Sequence, residues 1–188
     1  MSAATEDLLT ATGSMRAGLA GTGPSGTGLA DMAQTHRIFI QAASVEIWDA
    51  LTRPGWTQQY GYRAPAQYEM RPGGAYRAFA SVTMKMHGID GVIFDGEVLE
   101  ADPPRRLVQT WHVLFDPGAR AEPGTRLTWE IEEGYGGVSL LTLTHDLAGA
   151  PRTTAALVDG RHAAAGGGWA WILSDLKTLL ETGRPLAA

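Results

Sequence analysis

Five histidines, six tryptophans and no cysteine bound the chemistry this chain can do. Without a thiol there is no cysteine nucleophile, no disulfide and no thiolate-held metal. No Gly-x-Ser-x-Gly elbow occurs, so the sequence offers no activated serine. His145 follows Leu141 and Leu143 in alternation and is expected to face inward. There it can hydrogen-bond a ligand or act as a general base near neutral pH. The competing reading is a structural histidine bonded to a backbone group near a strand end. His112 alternates opposite Trp111 and is expected to face outward. His87 sits at a turn, His36 starts a strand, and His162 lies in a small-residue connection. No pair of histidines has the spacing of a metal site. Glu132 and Glu133 alternate to opposite faces of a strand, so they cannot share one substrate. No catalytic residue, metal or cofactor is assigned from sequence.

The aromatic residues carry the stronger signal. Tyr76, Phe94, Trp111, Trp129 and Trp169 come from four strands and the last helix and are expected to meet in one interior. Each buries roughly 150–250 Å² and presents a flat face, as small-molecule pockets do. Small Ala78 and Ala80 leave room opposite them. Either these rings line a pocket or they fill a core. The candidate ligand-contacting set from the first half of the chain is Trp56, Tyr60, Tyr76, Met84, Phe94 and Trp111. Trp129, His145, Trp169, Ile172 and Leu176 complete it.

A single helix must hold that set in place. Gly166-Gly167-Gly168 breaks the chain, and Trp169, Ile172, Leu173, Leu176, Leu179 and Leu180 then recur at steps of three and four. Trp171 falls off this face. Upstream, Ile38 and Ile40 alternate in a first strand. Ser44 is placed to cap a helix carrying Val45, Ile47, Trp48 and Leu51, and a second short segment holds Trp56 and Tyr60. About six strands follow. Gln67 to Met70 is one, and Ala75 to Met86 another, with Tyr76, Ala78, Ala80, Val82, Met84 and Met86 on one side. Strands around Phe94, Trp111, Trp129 and Leu143 come next, with a long Pro-Gly-marked loop between 115 and 125. Gly149 to Gly168 is a small-residue connection and candidate lid. Short turns between strands imply an antiparallel meander whose one apolar face needs a cover, and the last helix is the only element long enough.

Residues 1–34 stand apart as a tail and linker, 35–183 form one domain, and 184–188 form a short C-terminal tail. A helix over about 6–19 precedes the glycine-rich run at 21–28. That run contains a formal G-x-G-x-x-G, but Pro24 interrupts it and no strand precedes it, so it is read as linker. The net charge of −5 and dispersed arginines argue against a nucleic-acid partner. No run reaches the ~18 apolar residues of a membrane span. A cytoplasmic location without membrane contact is expected.

The blocks Val45 to Pro54, Met70 to Arg77, Gly96 to Trp111, Thr142 to Asp146 and Gly167 to Lys177 occur in an order that resembles one superfamily. It is the SRPBCC (START-like, helix-grip) superfamily, in the branch named for the activator of the heat-shock chaperone ATPase. The resemblance covers about 35–181. It implies an α+β helix-grip fold: a curved antiparallel sheet around a long C-terminal helix, with two short helices after the first strand and often a ligand cavity. Ala43, where the family often has proline, and the segment near Trp56 to Tyr62 depart from its pattern. So does the connection from Gly149 to Gly168.

Three functions follow. The first is binding of a small hydrophobic ligand, aromatic or polyketide-like, for sequestration or self-resistance. The second is a cyclase or aromatase, a type found among proteins of this resemblance, with His145, Tyr76 and His112 as actors. The third, a chaperone partner, rests on the branch name alone.

Overall fold

The computed structural model describes residues 33–158 and 168–186. The expected helix over 6–19, the glycine-rich linker and His162 lie outside the described residues.

Seven strands form one antiparallel sheet: β1 Ala33–Ile40, β2 Ala66–Tyr68, β3 Gly74–Phe79, β4 Val92–Asp102, β5 Arg106–Val113, β6 Thr125–Glu133 and β7 Ser139–Asp146. Their spatial order is β1-β7-β6-β5-β4-β3-β2. Strands β2 to β7 thus run as a meander, and β1 closes on the last of them. The first two strands consequently lie at opposite edges of the sheet. The chain between them must cross from one edge to the other, and it does so as α1 Ser44–Thr52, α2 Pro54–Thr57 and a loop over 58–65. Helix α3 is Val82–Met86, α4 is Pro151–Val158, and the long helix α5 is Gly168–Thr182. The α+β helix-grip architecture expected from sequence is the one observed.

Alternation sets which face is covered. Leu107, Trp111 and Val113 on β5 point inward, as do Leu127, Trp129 and Ile131 on β6 and Leu141, Leu143 and His145 on β7. Helix α5 lays Trp169, Ile172, Leu173, Leu176 and Leu179 on this face, each such burial contributing about 1.5–3 kcal/mol. Trp171 packs half-buried on the flank. Register shifts at Ala78/Phe79 and between Val98 and Glu100 bend the sheet around the helix.

Three local expectations are corrected. Ala75 to Met86 is not one strand: β3 ends at Phe79 and α3 follows. The Ser81 hydroxyl accepts from the Met84 amide and caps that helix, and the Met-Lys-Met run favours it. Val82 and Met86 are therefore 77% and 81% exposed instead of inward. Ser44 is the first residue of α1 and not its cap. The cap position is Ala43, whose amide donates to the Glu46 carboxylate at 2.9 Å. The connection after Gly149 begins with α4, whose first turn is tied down. Arg152 pairs with Asp116 at 2.7 Å, and the Arg152 and Thr153 amides donate to Glu122. The guanidinium of Arg152 holds the Asp116 carboxyl down to about 2.

Candidate functional site

Between the sheet and α5 lies a pocket of about 90 Å³. Its floor is Tyr76 and Ala78 of β3, Phe94 of β4, Gln109 and Trp111 of β5, and Leu127 and Trp129 of β6. Trp169 and Ile172 of α5 form one wall. Leu51, Thr57 and, from the crossing segment, Tyr60, Gly61, Tyr62, Ala64, Ala66 and Tyr68 form the other. Only Gly61, Tyr62 and Tyr68 among these residues are less than fully buried, so the pocket meets solvent beside the loop over 58–65. Among the described residues no Asp, Glu, Lys, Arg or His lines it.

The rings are held by one another. Phe94 stacks on Trp111 at 4.5 Å, and Trp169 meets Trp129 edge-on at 5.6 Å and Trp111 at 6.0 Å. Tyr68 and Tyr76 lie 4.7 Å apart, and Tyr62 caps Phe94 at 5.4 Å. The aromatics pack together and leave a modest space beside them.

The Tyr60 hydroxyl donates to the Ala50 carbonyl at 3.1 Å. The Tyr76 hydroxyl lies beside the Trp111 indole, and the Tyr68 hydroxyl beside the Gln109 amide. Burial pushes the Tyr62 hydroxyl up to about 12 and raises Tyr60, Tyr68 and Tyr76 as well, so these groups are neutral near pH 7. Gln109 is 1% exposed, and its Oε1 has no hydrogen-bond partner.

His145 lies behind the rings and does not line the pocket. The Trp169 indole N–H donates to its Nδ1 at 3.0 Å. An indole can only donate, so Nδ1 is the acceptor and Nε2 carries the proton. Nε2 then donates to Thr125 Oγ1 at 2.7 Å, and Thr125 passes its own proton to the Trp111 carbonyl at 2.8 Å. Both imidazole nitrogens are occupied. Burial pushes the imidazole down to about 3, with Asp146 pulling the other way. The chain of bonds pins α5 to β5, β6 and β7.

The crossing loop is held by Asp175, which sequence reasoning missed. This carboxylate sits on the buried face of α5 at 3% exposure. It accepts from the Gly61 amide at 2.8 Å and the Leu186 amide at 2.6 Å. Gly61 has φ +57°, and a Cβ there would sit 3.1 Å from Ile172. Thr57 Oγ1 accepts from the Ala66 amide and joins α2 to β2.

Of the sequence candidates, Tyr60, Tyr76, Phe94, Trp111, Trp129, Trp169 and Ile172 line the pocket together. Trp56, on α2, packs half-buried against the core outside the lining. Met84 has moved onto α3, half-buried at the core edge, because the strand ends before it. Leu176 is fully buried in the core below. His112 faces away, with Nδ1 3.2 Å from Asp95 and Nε2 3.1 Å from the Arg120 carbonyl, so His145, Tyr76 and His112 do not surround one space. Sequence reasoning did not single out Tyr62, Tyr68 and Gln109. Gln109 shares the parity of Trp111, which was the available signal. Among the described residues no cluster of His, Asp and Glu is arranged to hold a metal, and no helix is long and apolar enough to cross a membrane.

Solved structures share this fold. CalU16 from Micromonospora echinospora matches with TM-score 0.54 and 19% identity, over 81% of this chain and 78% of its own. DynU16, a protein in the dynemicin biosynthetic locus, matches with TM-score 0.56 and 22% identity. That match covers 81% of this chain and 48% of DynU16, so the chain spans about half of it. The Aha1 dimer from Colwellia psychrerythraea matches with TM-score 0.56 and 20% identity, over 81% of this chain and 98% of its own. At these identities the likeness is one of fold. No curated protein matches the chain in sequence. The family profile described as Activator of Hsp90 ATPase homolog 1-like protein matches residues 41–181, most of the chain, and the protein belongs to that family.

Proposed function

We propose that this protein binds a small, neutral, flat hydrophobic molecule between the sheet and α5 and holds it without covalent chemistry. The observation that carries the reading is the lining: the aromatic side chains of Phe94, Trp111, Trp129 and Trp169, and no charged side chain among the described residues. Such a lining rewards a flat apolar guest and penalises a charged one, since burying an unpaired ion costs far more than contacts return. Size limits the guest further. About 90 Å³ is less than the ~150 Å³ known to admit benzene. A polyketide-like molecule therefore inserts one end, or displaces the loop over 58–65. Sequestration of a metabolite is the role that suits a site lacking catalytic groups, and DynU16's place in a biosynthetic locus supports it.

The test uses flat fluorescent aromatic probes and the protein's own tryptophans, three of which line the pocket. Saturable quenching is expected, with a rise in melting temperature. Ligand at a hundred times Kd adds about 2.7 kcal/mol of stability. If a saturating panel changes neither fluorescence nor Tm, the binding reading is wrong. Family membership favours a second reading, regulation of a chaperone ATPase. Stimulation of that ATPase by the purified chain would support it, and no stimulation at saturating protein would end it.

A further inference from the structure

We propose that the pocket selects molecules whose buried end carries a neutral hydrogen-bond donor, a phenol-type hydroxyl, received by Gln109 Oε1. The inference rests on the pocket being a binding site and names the chemistry of its guest. Gln109 lies mid-strand on β5, opposite Val98 of β4 and Leu127 of β6. Its side chain reaches the pocket, with Tyr68 beside one end of the amide. The other end, Oε1, is the buried side-chain polar atom left without a partner among the described residues. An unpaired buried acceptor costs about 1–3 kcal/mol, and a fold that only needed to fill this position would do better with leucine or methionine. Tyr60, a donor in the same lining, gives its proton to the Ala50 carbonyl instead.

The surroundings fix the guest's charge as well as its polarity. A carboxylate or phenolate would face an acceptor oxygen with no Lys, Arg or His among the described lining residues to balance it. An ammonium would meet the oxygen and the ring faces but no carboxylate, because both Asp175 oxygens are taken by Gly61 and Leu186. A neutral hydroxyl satisfies Oε1 and brings a flat apolar body with it. The donor end reaches Gln109 while the rest of the molecule points toward the rim at Gly61 and Tyr62.

Affinities of the full chain for phenol, anisole, toluene, benzaldehyde and benzylamine at pH 7 test this, read by tryptophan quenching and ligand-observed NMR. Phenol is expected to bind about tenfold or more tightly than anisole and benzaldehyde, which lack the donor. Gln109→Met, which keeps the unbranched shape, should cost phenol a similar factor and leave toluene equal or better. Equal binding of phenol and anisole by the wild type overturns the inference, and needs no variant to fold. Tighter binding of benzaldehyde or benzylamine than of phenol overturns it too, by identifying an acceptor or a cation as the preferred guest; in these cases the pocket reading stands. If none of the five binds, the pocket reading fails and takes this inference with it.

Discussion

Acid should loosen the helix from the sheet through one residue, His145. Its imidazole is 0% exposed and accepts from the Trp169 indole at Nδ1. A second proton at Nδ1 would set two donors against each other and place a charge in a dry interior. The pKa accordingly falls from an ordinary 6.5 to about 3 on folding. The unfolded chain takes up that proton first, so the cost appears as pH drops below about 6.5 and grows until about 3. Stability is intact above that window and is lost through it. At pH 5 the shortfall is 1.5 pH units, or about 2 kcal/mol at 1.36 kcal/mol per unit. The carboxylates that partner cations, Asp116 and Glu181, start from 3.8 and 4.5, so their losses come chiefly below pH 4.5. Urea unfolding at pH 7.5 and pH 5.0 should show a midpoint lower by about 1 M at the acid pH, for an m-value of roughly 2 kcal/mol/M. His145→Gln keeps hydrogen-bonding capacity but not the titration, so most of the difference should vanish. If both proteins lose the same stability, or if the His145 ring protons titrate near 6.5 in the folded state, the reasoning is refuted.

Two further outcomes follow from the crossing loop. Gly61→Ala forces a side chain into φ +57° and against Ile172; a loss of about 1–2 kcal/mol and a fall in Tm of roughly 3–8 °C are expected, and an unchanged melt would contradict the fit. Asp175→Ala strips the acceptor from the Gly61 and Leu186 amides, at about 1.5–3 kcal/mol for each charge-assisted bond; hydrogen exchange should quicken at those two amides while β5 to β7 keep their protection.

The sheet and long helix were legible because their periods run long. Fifteen residues of α5 and the eight- to eleven-residue strands leave little room for confusion between steps of two and steps near four. Where the window shortens, the periods merge. In Val82 to Met86, Val82, Met84 and Met86 alternate as a strand would, yet Val82 and Met86 also share a helical face, and the Ser81 cap decides. Helix α4 hid in a run of alanine, threonine and glycine with no apolar stripe. Within the site, alternation gave the inward direction of Trp111, Trp129 and His145 correctly. It does not reveal which of them touches open space: His145 is screened from the pocket by Trp111 and Trp169, 5.3 and 5.8 Å away centre to centre. Asp175 was invisible for a different reason. A carboxylate beside Leu176 reads as solvent-facing unless the Gly61 and Leu186 amides, 114 and 11 residues away, are known to meet it.

The two walls of the pocket differ in how they can yield, and this governs what binds. The wall made by β5 to β7 and α5 is locked by stacked rings and by the unbroken run of bonds from Trp169 through His145 and Thr125 to Trp111. Opposite it, the loop over 58–65 is held to α5 by the Gly61–Asp175 bond and turns through positive φ at Gly61 and Arg63. A guest larger than about 90 Å³ must move one of them. Moving the first breaks a network and separates buried aromatics; moving the second breaks the Gly61–Asp175 bond, worth about 1.5–3 kcal/mol, together with the Tyr60–Ala50 bond and the Tyr62–Phe94 ring contact. The loop therefore gives way first. A ring that buries some 100 Å² more apolar surface gains about 2.5 kcal/mol at 25 cal/mol/Å², which offsets the Gly61–Asp175 bond and little more. Affinity should accordingly hold level as ligands grow past the resting space, and rise again only once the added surface packs against the displaced loop.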